Sequence, residues 1–193
     1  WEECPLCRQK VTEEKLSSFR ELQANITNHL DSILKKHKKK MIGWDEIADS
    51  SCPSDAILMC WRGDAKEAVA KAKTQGLTYI LTPNHPYYLD WKQSHNHEEI
   101  GAFGVSTVAD IYNYDYPSQH SDRMLGMQAN IWTERIETLT KLEYMAFPRI
   151  IALAENCWTS PKNKDYNRFL IYLKRYLSYY DDLYINYCTS NID

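Results

Sequence analysis

Residues 41–62, Met41-Ile42-Gly43-Trp44-Asp45-Glu46-Ile47-Ala48-Asp49-Ser50-Ser51-Cys52-Pro53-Ser54-Asp55-Ala56-Ile57-Leu58-Met59-Cys60-Trp61-Arg62, hold two short apolar runs that each end on a tryptophan beside charged side chains. The run Met41–Trp44 predicts a strand that gives way to Asp45-Glu46. The run Ala56–Trp61 is apolar throughout, as a strand buried on both faces reads, and gives way to Arg62. The pattern repeats downstream. Thr78–Thr82 predicts a third strand leading towards Tyr88-Leu89-Asp90, and Leu125–Ile131 a fourth that ends on Trp132-Thr133-Glu134.

Helical segments alternate with these strands. Ser18 with Glu21 has the spacing of a capping box, and Phe19, Leu22, Ile26, Leu30 and Ile33 then form one stripe of a helix reaching Lys38. Its basic end, Lys35 to Lys40, complements the helix dipole. Asp64 and Glu67 open a second helix that Gly76 closes. Two more helices are expected near Leu142–Trp158 and Tyr166–Tyr184, and Lys92 to Asp122 reads as a long Tyr-rich loop. Strand–helix alternation predicts a parallel sheet with helices outside it. An aromatic residue at the carboxyl end of four successive strands fits a (β/α)8 barrel, which builds its site at that end. A doubly wound sheet would concentrate its site at one switch point, and no glycine-rich phosphate loop follows any strand. Such a barrel needs eight strands and about 250 residues. Four predicted strands make half of one.

The chain has 193 residues, 44% of them hydrophobic, which suffices for a core. A net charge of −3 gives no reason to expect nucleic acid as a partner. No run approaches the roughly 20 apolar residues of a membrane span. Six cysteines are too few for a disulfide scaffold. Cys4 and Cys7 form a CxxC pair, but Cys52, Cys60, Cys157 and Cys188 supply no second pair for a zinc ribbon, so a local disulfide or two free thiols is expected. His85, His95, His97 and His120 have no regular ligand spacing, and no metal or other cofactor is expected. The 14 Tyr and 6 Trp suit stacking on sugar rings or walling a ligand pocket.

Five strings carry a resemblance: Met41-Ile42-Gly43-Trp44-Asp45-Glu46-Ile47, Cys60-Trp61-Arg62-Gly63, Tyr88-Leu89-Asp90, Gly126-Met127-Gln128-Ala129-Asn130-Ile131-Trp132-Thr133-Glu134, and Pro148-Arg149 with Ala152-Leu153-Ala154-Glu155. In order and spacing they resemble glycoside hydrolase family 20, the β-N-acetylhexosaminidases. The resemblance runs from Trp1 to Ile185-Asn186-Tyr187 and identifies the predicted strands with about strands 5 to 8 of the family's barrel. It implies exo-acting, substrate-assisted hydrolysis of glycans ending in N-acetylglucosamine or N-acetylgalactosamine, with the substrate's acetamide as nucleophile. It implies that Trp44, Trp61 and Trp132 wall the acetamide pocket. Tyr88 would donate to the acetamide oxygen, and Asp90 and Glu134 would accept from the sugar hydroxyls at positions 4 and 6. The family's catalytic Asp-Glu pair, in a His-x-Gly-Gly-Asp-Glu string, has no counterpart here, so residues 1–193 are expected to be a partial catalytic domain that needs the N-terminal half of the barrel. Members are commonly exported or lysosomal, which implies an extracytoplasmic location.

Two other readings compete: a non-catalytic sugar-binding relative, and a retaining glycosidase using Asp90 and Glu134, whose carboxyls would stand about 5 Å apart. Asp45 and Glu46 are expected to be structural, since strand neighbours point opposite ways. The same alternation sends Tyr87 away from the face shared by Tyr88 and Asp90. Arg62 and Arg149 are expected to be ion partners, and Trp91 and Trp158 to pack. Asn25-Ile26-Thr27 matches a glycosylation sequon inside the first long helix.

Overall fold

The computed structural model describes residues 1–116, 122–190 and 192. His120 and part of the expected 92–122 loop lie outside the described residues. The chain divides into two compact units, Trp1–Leu81 with His120–Gly126, and Thr82–Gln119 with Met127–Asp193.

The first unit carries α1 (Pro5–Glu13), α2 (Arg20–Lys36), β1 (Ile42–Trp44), a 3-10 turn (Asp45–Asp49), β2 (Ile57–Cys60), α3 (Lys66–Thr74) and β3 (Thr78–Leu81). Two short strands of the second unit follow, β4 (Trp91–Lys92) and β5 (Ala102–Val105), and then β6 (Met124–Met127). The main sheet has the order β1-β2-β3-β6, with β1 parallel to β2 and β2 parallel to β3. Tyr79 N–H donates to the Arg123 carbonyl to tie β3 to the start of β6. Four strands in sequential order, joined by helices, are the expected α/β pattern of part of a (β/α)8 barrel.

Within β2, Leu58 and Cys60 are fully buried while Ile57 and Met59 are half-buried, so one face is drier than the other. At Gly43 a Cβ would stand 2.8 Å from Ile47 Cδ1 in the 3-10 turn that follows β1, so the Ile47 side chain would have to shift to admit one. Gly76, at φ +69°, ends α3 in the left-handed conformation that a side chain resists.

The expected capping box of Ser18 with Glu21 is not formed: Phe19 is the N-cap of α2 and makes no side-chain cap hydrogen bond. Ser17, not Ser18, donates its N–H (2.8 Å) and hydroxyl (2.6 Å) to the Glu21 carboxylate. The expected apolar stripe is corrected too: α2 buries Leu22, Ala24, Thr27 and Asp31, and leaves Ile26, Leu30 and Ile33 exposed. Helix α1 was not foreseen. It buries no side chain, so it leaves no apolar period in the sequence.

In the second unit, α4 (Asn84–Tyr87) is a single turn, α5 spans Val108–Asn113, α6 Leu139–Ala146, α7 Arg149–Trp158 and α8 Tyr166–Asp182. The described part of the expected loop is therefore structured: β4 and β5 pair in parallel, and α5 opens on a reciprocal Thr107–Asp110 capping box. The helix expected over 142–158 is two. Phe147, held extended before Pro148, separates α6 from α7, because the proline ring crowds a helical predecessor. The core gathers Tyr87, Leu89, Ile111, Leu153, Phe169 and Leu173 among others. Trp91 packs against Phe103 and His85, as expected of a packing residue, but Trp158 stands exposed at the end of α7. All six cysteines are free thiols, and no helix among the described residues is long and apolar enough to cross a membrane.

Candidate functional site

Two tryptophans end successive strands of the first unit. Trp44 closes β1 and Trp61 follows β2, with ring centroids 6.2 Å apart at 74°, an edge-to-face pair. The parallel register of the two strands brings them together. Acidic residues hold the second ring from both ends. Asp45, fully buried, accepts from the Trp61 backbone N–H at 2.9 Å and from the Arg62 guanidinium. Glu46 accepts from the Trp61 indole N–H at 2.9 and 3.1 Å. Asp45 and Glu46 begin a 3-10 turn rather than extending a strand, and both serve Trp61. Burial pushes the Asp45 pKa up, against the Trp61 N–H and Arg62. Arg62 is the expected ion partner. It forks onto Asp49 at 2.9 and 3.1 Å, and with Lys71 holds that carboxyl at about 2. The geometry gives a rigid indole edge whose direction is set by charge-assisted hydrogen bonds.

In the second unit, Tyr88 and Trp132 approach with centroids 6.0 Å apart. Asn130 fixes both of their segments. Leu89 N–H donates to its carbonyl at 2.7 Å, its own N–H donates to the Tyr87 carbonyl at 3.0 Å, and its side-chain amide donates to Thr82 Oγ1 at 2.6 Å. Tyr87 faces inward. Its hydroxyl accepts from Asn156 Nδ2 at 2.7 Å and donates to Met127 Sδ at 3.3 Å, while Tyr88 packs instead against Trp132.

Asp90 lies two residues beyond Tyr88 and is only 4% exposed. Its Oδ1 has no hydrogen-bond partner, although buried polar atoms are nearly always paired. Burial pushes the Asp90 pKa up, and the nearby Glu134 charge pushes the same way. Its own N–H, the Trp132 N–H and the charge of Arg149 oppose them. Trp132 is 40% exposed and Glu134 is exposed. Glu134 borders a groove of about 810 Å³ together with Glu98, Arg135, Lys141 and Tyr144. Chemically, a buried carboxylate oxygen with an open lone pair beside aromatic rings can accept a hydroxyl from a ligand that also presents an apolar face.

The structure thus brings Trp44 to Trp61 in one unit, and Tyr88, Asp90 and Trp132 together in the other. Sequence reading gave no role to Asn130 or Asn156. Asn130 and Asn156 carried a signal as polar residues inside apolar segments, and Arg149 was expected to be an ion partner. Among the described residues no group of three His, Cys, Asp or Glu side chains is placed to hold a metal ion.

Comparison with known proteins places these residues in context. Residues 1–161 match the profile described as "Glycosyl hydrolase family 20, catalytic domain". A beta-hexosaminidase of Porphyromonas gingivalis is 32% identical over 176 residues, covering 88% of this chain and 22% of the relative. A beta-N-acetylhexosaminidase of Cellulomonas fimi is 27% identical, covering 81% of this chain and 33% of that protein. The structure of an exo beta-N-acetylglucosaminidase from Vibrio harveyi in complex with N-acetylglucosamine superposes with a TM-score of 0.90 at 29% identity, covering 98% of this chain and 31% of that one. The chain therefore spans a third or less of the length of these relatives.

Proposed function

The chain belongs to glycosyl hydrolase family 20, and from that premise we propose that it supplies the sugar-recognition half of an exo-acting β-N-acetylhexosaminidase. The substrate is a glycan ending in N-acetylglucosamine or N-acetylgalactosamine. Trp44 and Trp61 offer apolar indole surface to the acetamide group, and Trp132 offers its exposed ring. Restricting the acetamide next to the anomeric carbon makes the carbonyl oxygen an internal nucleophile, which is the entropic advantage of an intramolecular attack. The oxygen attacks the anomeric carbon as the glycosidic bond breaks, giving an oxazolinium ion that water reopens with overall retention. The Tyr88 hydroxyl donates to the acetamide oxygen and stabilises the developing charge. The proton for the leaving oxygen comes from a general acid that Asp45, Glu46, Asp90 and Glu134 do not provide. Asp45 and Glu46 are committed to Trp61, and Asp90 and Glu134 accept from the sugar hydroxyls at positions 4 and 6.

The observation that carries this reading is the buried, unpartnered Oδ1 of Asp90. A buried carboxylate oxygen left unpaired costs about 1–3 kcal/mol, and a substrate hydroxyl would relieve that cost. The test is steady-state kinetics of the intact protein that contains this chain on a chromogenic N-acetyl-β-glucosaminide. Asp90→Asn is expected to lower kcat/KM by roughly 10- to 100-fold, the value of a hydrogen bond to a charged acceptor. An Asp90→Asn protein within twofold of the unmodified one would remove Asp90 from the site.

A further inference from the structure

We infer that Arg149 is a positioning residue for Asp90: its guanidinium clamps the main chain on both sides of that carboxylate. Arg149 starts α7 and is fully buried. The expectation that it forms an ion pair is corrected, because none of its hydrogen bonds goes to a carboxylate. One terminal nitrogen donates to the carbonyls of Trp91 (3.0 Å) and Ser106 (2.9 Å), the other to those of Leu89 (2.5 Å) and Met145 (2.5 Å). Leu89 and Trp91 are the two neighbours of Asp90. The carbonyl of Asp90 itself accepts from Ala102 N–H at 2.8 Å. Three successive carbonyls are thus fixed, two of them by one side chain. Only the planar fork of arginine can serve four carbonyls this way, since the lysine ammonium has three donors at a single point.

A buried cation without a carboxylate partner is costly, and an apolar side chain in its place would take the donor away from four carbonyls. Nor could an apolar side chain supply a fixed positive charge near Asp90. Burial lowers the Arg149 pKa to about 10, which still leaves it charged at neutral pH. The groups that face Asp90 are Glu134, which favours its protonated form, and Arg149, which favours the carboxylate, together with the N–H groups of Asp90 and Trp132. Around Arg149 itself stand Glu99, Tyr144 and Cys188. The clamp therefore fixes the main chain on both sides of the acceptor, and its charge adds to the two N–H groups in favouring the carboxylate form.

This inference rests on Asp90 being a sugar-hydroxyl contact, and the experiment separates the two. In the intact protein, Arg149→Met, Arg149→Lys and Asp90→Asn are assayed on a chromogenic N-acetyl-β-glucosaminide and on its 4-deoxy and 6-deoxy analogues. Arg149→Met is expected to lose roughly tenfold in kcat/KM on the parent sugar. It should lose little on the analogue lacking the hydroxyl to which Asp90→Asn is also indifferent. The acidic limb of its pH profile should move to higher pH, because the charge opposing Asp90 protonation is gone. Arg149→Lys should return the limb to its original position while keeping part of the loss on the parent sugar. Should Arg149→Met fail to fold, the Lys variant decides by the same dependence on the hydroxyl. Equal losses on all three sugars for the Arg149 variants, beside a hydroxyl-dependent Asp90→Asn, overturn the clamp alone. An Asp90→Asn loss that ignores the hydroxyls overturns the clamp together with the proposed contact.

Discussion

Asp90 sits where a carboxylate is uncomfortable, and the direction of its pKa gives that discomfort a measurable sign. Its pKa is raised from 3.8, first by burial and then by Glu134. A carboxyl with a raised folded-state value favours the folded chain fully below its unfolded value, and that contribution is lost as pH rises through the folded-state value. Asp90→Asn removes the charge that must otherwise be buried. The melting temperature of the variant relative to the unmodified chain is therefore expected to rise as pH climbs from about 4, the unfolded value, through the raised folded-state value. A difference that stays flat across that window, or falls, contradicts the burial of a charged Asp90. Asp49 has the opposite sign. Arg62 and Lys71 hold it at about 2, so its contribution is present above 3.8 and lost only as pH falls towards 2. One carboxylate is spent on holding Trp61 in place through Arg62, the other is left open. That contrast separates scaffold from site more sharply than residue type does.

At the scale of elements, β1 and β2 were legible because each is a short apolar run that reaches a tryptophan, whereas β3 stops at Leu81 and β6 at Met127, five residues short of Trp132. The 92–122 region was not legible. Its strands β4 and β5 are two and four residues long, too short for an alternation to register, and Gly101 and Gly104 lie there for close approach, the latter against the Trp91 ring. The α6–α7 break was readable in principle from Pro148, which the sequence reading quoted without using. The capping box expected at α2 failed, since the helix starts one residue later than Ser18 requires and Glu21 turns back to Ser17 instead. The consequence is testable: Glu21→Ala should cost about 1 kcal/mol in a urea titration, and Ser18→Ala should stay within about 0.5. Losses in the reverse order would return the cap to Ser18.

For the whole molecule, the parallel α/β pattern, the family and the strand-end aromatics were all present in the sequence. The support around them was not. Asn130 joining two segments, Glu46 holding an indole and Arg149 gripping the carbonyls of Leu89, Trp91 and Ser106 are hydrogen bonds between residues 15 to 60 apart, and no local pattern encodes such partners. Exposed Ile26, Leu30 and Ile33 on α2, with Ile42 on the terminal strand β1, add an apolar surface that local periodicity assigned to a core.

The central claim is that the acetamide group of the sugar is the nucleophile. It is tested most directly by comparing kcat/KM of the intact protein for a chromogenic N-acetyl-β-glucosaminide and for the matching β-glucoside, which has a hydroxyl in place of the acetamide. A preference of at least roughly a thousandfold for the acetamido sugar is expected, since only that sugar carries the internal nucleophile. Comparable turnover of the two sugars, or turnover of neither, would contradict the account.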